Sequence, residues 1–78
     1  MGRWLNPLKF HKGEQMMIKK PIFCPAMSIP AGSMIRIDSV DRLMRTYDVI
    51  SIDSHGKPIP FGWITDVDEK DIVLSGEG

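Results

Sequence analysis

The sequence predicts a small, mostly β domain, and three observations carry that prediction. Ile35 and Ile37 alternate with Met34, Arg36 and Asp38, the period of two that a half-buried strand shows. The run TYDVISID at 46–53 is rich in β-branched residues, which fit a pleated surface. Pro21, Pro25 and Pro30 fall within ten residues and forbid a helix across that stretch.

Residues 1–15, MGRWLNPLKFHKGEQ, show no clean period. Trp4, Leu5, Leu8 and Phe10 suit one side of a short helix, but Pro7 interrupts it and Gly13 follows. This stretch reads as a flexible basic tail. Residues 16–30 read as short extended pieces at a sheet edge, where proline is tolerated. Pro30 and Gly32 then set a turn before the strand of Ile35 and Ile37. Residues 39–45, SVDRLMR, read as a hairpin or bulge, the alternative being one helical turn capped by Ser39. In the strand at 46–53, Tyr47 and Val49 share one face, Ile50 and Ile52 the other, so cover is expected on both sides. SHGKP at 54–58 is a turn, with Gly56 free to take a positive φ. IPFGWITDV at 59–67 alternates again, Phe61 and Trp63 on one face and Ile64 on the other. Gly62 within it signals a bulge or a close backbone approach. Both rings are expected in the core, since a domain this small can hardly spare their area. DEKDIV begins a one-turn helix near residues 68–72, led by Asp68, and a brief strand at 72–74 closes the fold.

Four to five short antiparallel strands in about sixty residues leave exposed edges unless the sheet closes on itself. The order of elements resembles an SH3-like small barrel over roughly residues 26–74. The features that carry the resemblance are the strand after IPAGS, the meander, the aromatic-bearing strand, the turn DEKDI and the last short strand. A single small β-barrel domain is expected at 16–75, with 76–78 as a frayed C-terminus. Members of that class that bind proline-rich ligands use exposed aromatics, a part that would fall here to Tyr47, Phe61 and Trp63.

Seventy-eight residues make one domain, and a chain of this length buries only about 60% of its unfolded surface. The single cysteine, Cys24, excludes an internal disulfide framework and suits a reducing compartment. It reads as a small buried hydrophobe rather than a nucleophile. No apolar run approaches the roughly 20 residues that span a membrane, and the N-terminus lacks the apolar core of a secretory signal. A cytoplasmic protein that needs no cofactor is the expectation.

The chain contains no glycine-rich phosphate loop, CxxC, HExxH or GxSxG. Asp53-Ser54-His55 unites three catalytic residue types, but triad members converge from separate segments, and these residues are also what a turn prefers. The spacing of Asp66, Asp68 and Asp71 loosely suggests a calcium loop, without its glycine or terminal glutamate. A solvated acidic face is the better reading. No metal is expected, because two histidines and one cysteine make a structural zinc site hard to build.

Charge is unevenly placed in a chain of net charge zero. Residues 1–36 carry six bases against Glu14, a balance of +5, and residues 37–78 carry four bases against nine acids, a balance of −5. A non-enzymatic protein-binding or adaptor module is the favoured function, of a kind suited to an accessory protein of a bacterium, prophage or mobile element. Its partner would be another protein. The acidic residues Asp66, Asp68, Glu69 and Asp71 would bind together with Asp53, His55 and Lys57 of the preceding loop. One alternative is a nucleic-acid-binding barrel using the basic arm, Lys19 and Lys20, with Arg36, Arg42 and Arg45. Arg36 and Arg45 would share a face if 34–38 paired with 43–47, and ion pairs to Asp38, Asp41 and Asp48 compete with that role. A second alternative is an acidic nucleic-acid mimic or inhibitor of a host protein. Met16, Met17, Ile18, Ile22 and Phe23 are apolar enough to cover one end of the barrel or to support a weak homodimer; a monomer is otherwise expected.

Residues 12–16, KGEQM, can be encoded by AAA GGA GAA CAA ATG, which contains AAGGAG, a strong bacterial ribosome-binding sequence just before an ATG. On that reading translation starts at Met16 or Met17, and residues 1–15 are translated leader. The remaining chain carries seven bases and nine acids, a balance of −2. The nucleic-acid reading then loses most of its arm.

Overall fold

A computed structural model describes residues 7–76. Its strands are β1 (Gln15–Met17), β2 (Ile22–Cys24), β3 (Met27–Ile29), β4 (Met34–Asp41), β5 (Thr46–Ile52) and β6 (Pro58–Asp68), followed by a 3-10 turn at Glu69–Asp71. There is no α-helix among the described residues, and every strand pairing is antiparallel. Strands β1, β4, β5 and β6 form one sheet in that order, and β2 and β3 form a separate hairpin.

The prolines set the first boundaries. Pro21 stands just before β2, Pro25 lies in the turn to β3, and Pro30 ends β3. None has to donate within a ladder, which proline cannot do. Residues 39–45 are a hairpin, as the sequence favours: Asp41 pairs with Thr46 across a loop at 42–45. The Asp41 carboxylate accepts from the Leu43 and Met44 N–H groups at 3.1 and 3.0 Å, and Arg45 closes the loop at φ 56°. The helical turn expected near 68–72 is the 3-10 turn, with Asp68 as its N-cap accepting from the Lys70 N–H. The strand expected at 72–74 is only a single bridge between Ile18 and Leu74. It is flanked by Lys19 N–H donating to Val73 O and Ser75 N–H donating to Met17 O.

Asp48 organises two bulges. On β4, Ile37 pairs with Val49 but Ser39 with Asp48, so Asp38 is the extra residue. On β6, Val49 meets Ile64 while Tyr47 meets Val67, which leaves one residue too many; Asp66 lies there at φ 56°. The Asp48 carboxylate accepts from the Ser39 hydroxyl at 2.7 Å and the Asp66 N–H at 3.1 Å, so one side chain satisfies polar groups at both irregularities. A larger bulge lies further up β6. Ile50 pairs with Trp63 and Ile52 with Pro58, so residues 59–62 stand opposite Ser51 alone.

Gly62 in that bulge is buried, and a Cβ there would lie 2.8 Å from Ser51 Cβ and 3.1 Å from Ile59 O. Only glycine fits so close an approach. Because Gly62 and Ile64 take the inward positions, Trp63 is turned outward. Phe61 is 92% exposed and Trp63 54%. The expectation that both rings lie in the core is therefore wrong: backbone, not an aromatic ring, fills the inner space beside Ser51.

One cluster forms the core: Phe10, Met16, Ile18, Ile22, Ile29, Ile35, Ile37, Tyr47, Val49, Ile64, Val67 and Ile72. Ile52 is buried too but stands outside it. Cys24 is half-buried and packs against the cluster's rim. Phe10 is the unforeseen member, since it falls in the stretch read as a tail. Its ring meets Tyr47 edge-on at 5.4 Å. Gly13 N–H donates to Ile37 O at 2.7 Å, and Ile37 N–H to Glu14 O at 2.9 Å. Packing thus crosses the expected boundary at residue 16, where burial of Phe10 acts together with the backbone bonds of Lys9, Gly13 and Glu14 against the cost of ordering the segment. Residues 1–6, with the expected basic Arg3, and residues 77–78 lie outside the described residues.

Candidate functional site

Three parts of the chain meet at Glu69. Its carboxylate accepts from the Tyr47 hydroxyl at 2.6 Å, the Lys9 backbone N–H at 3.0 Å and the Arg45 guanidinium at 3.0 Å. Arg45 also donates to Pro7 O, and Phe10 N–H donates to the Tyr47 oxygen. These donors hold Glu69 down at about 2 from the ordinary 4.5, the Tyr47 hydroxyl contributing most. Burial pushes the Tyr47 hydroxyl up, and its bond to the Glu69 carboxylate adds to that.

Two sequence candidates are consumed here. Glu69, expected to bind protein, is a structural acceptor, and Arg45, expected to bind nucleic acid, is its ion-pair partner. The Glu69 carboxylate stands 24 residues along the chain from Arg45. Since Glu69 has its pKa depressed by folding, its contribution is complete above about 4.5 and fades as pH falls toward 2. Arg45 is partly exposed, so solvent screening limits the gain to about 1–2 kcal/mol. Thermal unfolding of the wild type and Glu69→Gln should differ at neutral pH and converge near pH 2. A constant difference across that range would remove Glu69 from the stability account.

The other candidates are scattered. Arg36 pairs with Ile50 across β4 and β5 and donates to Gly56 O at 3.3 Å. Arg45 lies in the hairpin loop, so the two make no basic stripe. Lys19 and Lys20 are exposed between β1 and β2, and Arg42 is exposed in the hairpin loop. Asp53 folds its own turn: its carboxylate accepts from the His55 and Lys57 N–H groups at 2.8 and 3.0 Å. That places Asp53-Ser54-His55 in a turn.

Nor do the two acidic-surface segments join. The 53–57 loop follows the Ile52 end of β5, and the 66–71 turn pairs at its Thr46 end. A seven-residue strand separates them by roughly 20 Å. Asp66, Asp68 and Asp71 border a cleft of about 260 Å³ beside Phe23 and Pro25. Among the described residues no cluster of three or more histidine, cysteine, aspartate or glutamate side chains is placed to hold a metal ion.

What the expected core placement of both rings missed is an exposed apolar surface. Ile59 (41% exposed), Phe61 and Trp63 stand on the bulged half of β6, just after the loop bearing His55 and Lys57. Phe61 is held there at φ 62°, a conformation disfavoured for a bulky residue. Gly62 was the available signal, since a glycine at the inward position turns its neighbours outward. No helix among the described residues is long and apolar enough to cross a membrane. Comparison with protein-family models, curated proteins and solved structures finds no match to this chain.

Proposed function

We propose that this chain is a non-enzymatic protein-binding module with an SH3-like barrel layout. Its contact surface is Ile59, Phe61 and Trp63, rimmed by His55 and Lys57. The supporting observation is the Phe61 ring, 92% exposed on a left-handed backbone. Strain of that kind, of order 1–3 kcal/mol, persists where function selects the conformation. With aromatic side chains offering 150–250 Å² each, the patch amounts to roughly 400 Å². A stable interface takes about 800 Å² from each partner, so a short segment of another protein suits this patch better than a second copy of the chain.

The test is to pan a random peptide library on the wild type and on the double variant Phe61→Ser, Trp63→Ser. The variant should melt within a few degrees of the wild type, because neither ring is in the core. Peptides enriched on the wild type should bind it at least tenfold more weakly, as loss of aromatic anchors does at interfaces. Lack of enrichment, or a selected pool in which no peptide depends on Phe61 and Trp63, would overturn the reading.

A further inference from the structure

A second surface lies toward the other end of the sheet. Pro7, Leu8, Phe10, His11 and Lys12 form one wall of an open groove of about 450 Å³, and Ser39, Val40 and Arg42 form the other. That volume is in the range of ligand sites. It shares no lining residue with the aromatic patch and is offset from it in register: Ser39 and Val40 pair with Asp48 and Tyr47, whereas Trp63 pairs with Ile50, two to three residues along β5.

The lining is one-signed. Its charged side chains are Lys12 and Arg42, and no carboxylate is among the described lining residues. Of the acids close to the lining in sequence or in register, Asp38 is exposed in the bulge beside Ser39 and three others are engaged. Glu14 accepts from the His11 backbone N–H at 2.7 Å, Asp41 holds the hairpin loop, and Asp48 holds Ser39 and Asp66. Among the described residues neither Lys12 nor Arg42 makes an ion pair. The floor is apolar and half-covered, from Leu8 and Val40 over the buried Phe10. Next to Arg42, Leu43 is 90% exposed and Met44 66%.

We propose that this groove binds an acidic peptide segment carrying at least one large apolar residue, its carboxylates meeting Lys12 and Arg42 and its apolar side chain meeting Leu8, Val40 and Leu43. Charge complementarity selects the acid, and a purely electrostatic phosphate clamp would have no use for the exposed Leu43 and Met44. The groove is a second contact, independent of Phe61 and Trp63.

The panning experiment separates the two when repeated on Lys12→Glu, Arg42→Glu. These side chains lie outside the core, so the variant should keep the wild-type melting curve. Peptides that depend on the groove should be rich in Asp and Glu with an interspersed apolar residue. They should lose at least tenfold in affinity on charge reversal, lose several-fold on Leu43→Ser, and be unaffected by Phe61→Ser, Trp63→Ser. Their binding should also weaken with added salt. A pool in which every peptide is lost on the Phe61 and Trp63 variant and none on the charge reversal would support the aromatic patch and overturn the groove. A fluorescent single-stranded DNA pool, tested alongside, should not compete for the groove. If it binds there and displaces the peptides, the groove is a nucleic-acid site and the peptide assignment fails. Concentration-dependent self-association abolished by the same charge reversal would make the occupant a second copy, and would also overturn it.

Discussion

A chain that starts at Met16 is expected to be largely unfolded under conditions where the 78-residue chain is folded. Removing residues 1–15 deletes Phe10, which is 2% exposed and meets the Tyr47 ring edge-on. Truncating a buried phenylalanine to alanine costs about 3–5 kcal/mol, a large part of the 5–15 kcal/mol that a whole domain commonly has. The deletion also frees Ile37 N–H and O from their bonds to Glu14 and Gly13, and takes Lys9 from Glu69. Phe10→Ala in the full chain isolates the packing contribution, and should lower the urea midpoint without changing the slope. A Met16 chain that melts with the full chain would show that the N-terminal packing carries no energy. The gene supplies a separate check on the leader reading, which fails if the codons for residues 12–15 lack a GGAG core.

The second large effect separates two neighbours. Ile22 is 2% exposed and belongs to the core, whereas Phe23 is 75% exposed on the other side of the same strand. Ile22→Asp places an unpaired carboxylate among Ile29, Ile18 and other apolar groups, and should cost more than about 4 kcal/mol. Phe23→Asp should cost less than about 1 kcal/mol and leave a soluble, folded domain. The far-ultraviolet circular dichroism of the two variants decides the matter. If both unfold, Phe23 packs in solution where it is exposed here; if neither does, the β2–β3 hairpin is not integral to the core.

How much of this was legible beforehand differs by element. The β4–β5 hairpin follows from alternation, because Ile35, Ile37, Tyr47 and Val49 keep a period of two through their inward positions. Three prolines placed β2 and β3 correctly as short extended pieces. Asp68 announced its turn by capping chemistry. What stayed hidden depends on distant pairing. Nothing near Phe10 indicates that Tyr47, 37 residues on, will receive it. Nothing near Arg45 points to Glu69 rather than Asp41 or Asp48. Along β6 the same alternation that identified the strand gave no choice of inner face, and size was a poor guide: glycine went in and tryptophan out. The candidate residues were therefore scattered while most strands were placed, since strands are read from local spacing and surfaces from what the fold leaves uncovered.

The interruptions of β6 also bear on how the protein behaves in concentrated solution. β6 is the last strand of its sheet, and an uncovered, regular, apolar border strand is a template on which further chains can add. This one is kinked twice within eleven residues and carries Pro58 and Pro60, which offer no N–H to an incoming strand. The irregular border lets the domain present Ile59, Phe61 and Trp63 to solvent while denying them a flat ladder along which to stack into fibrils.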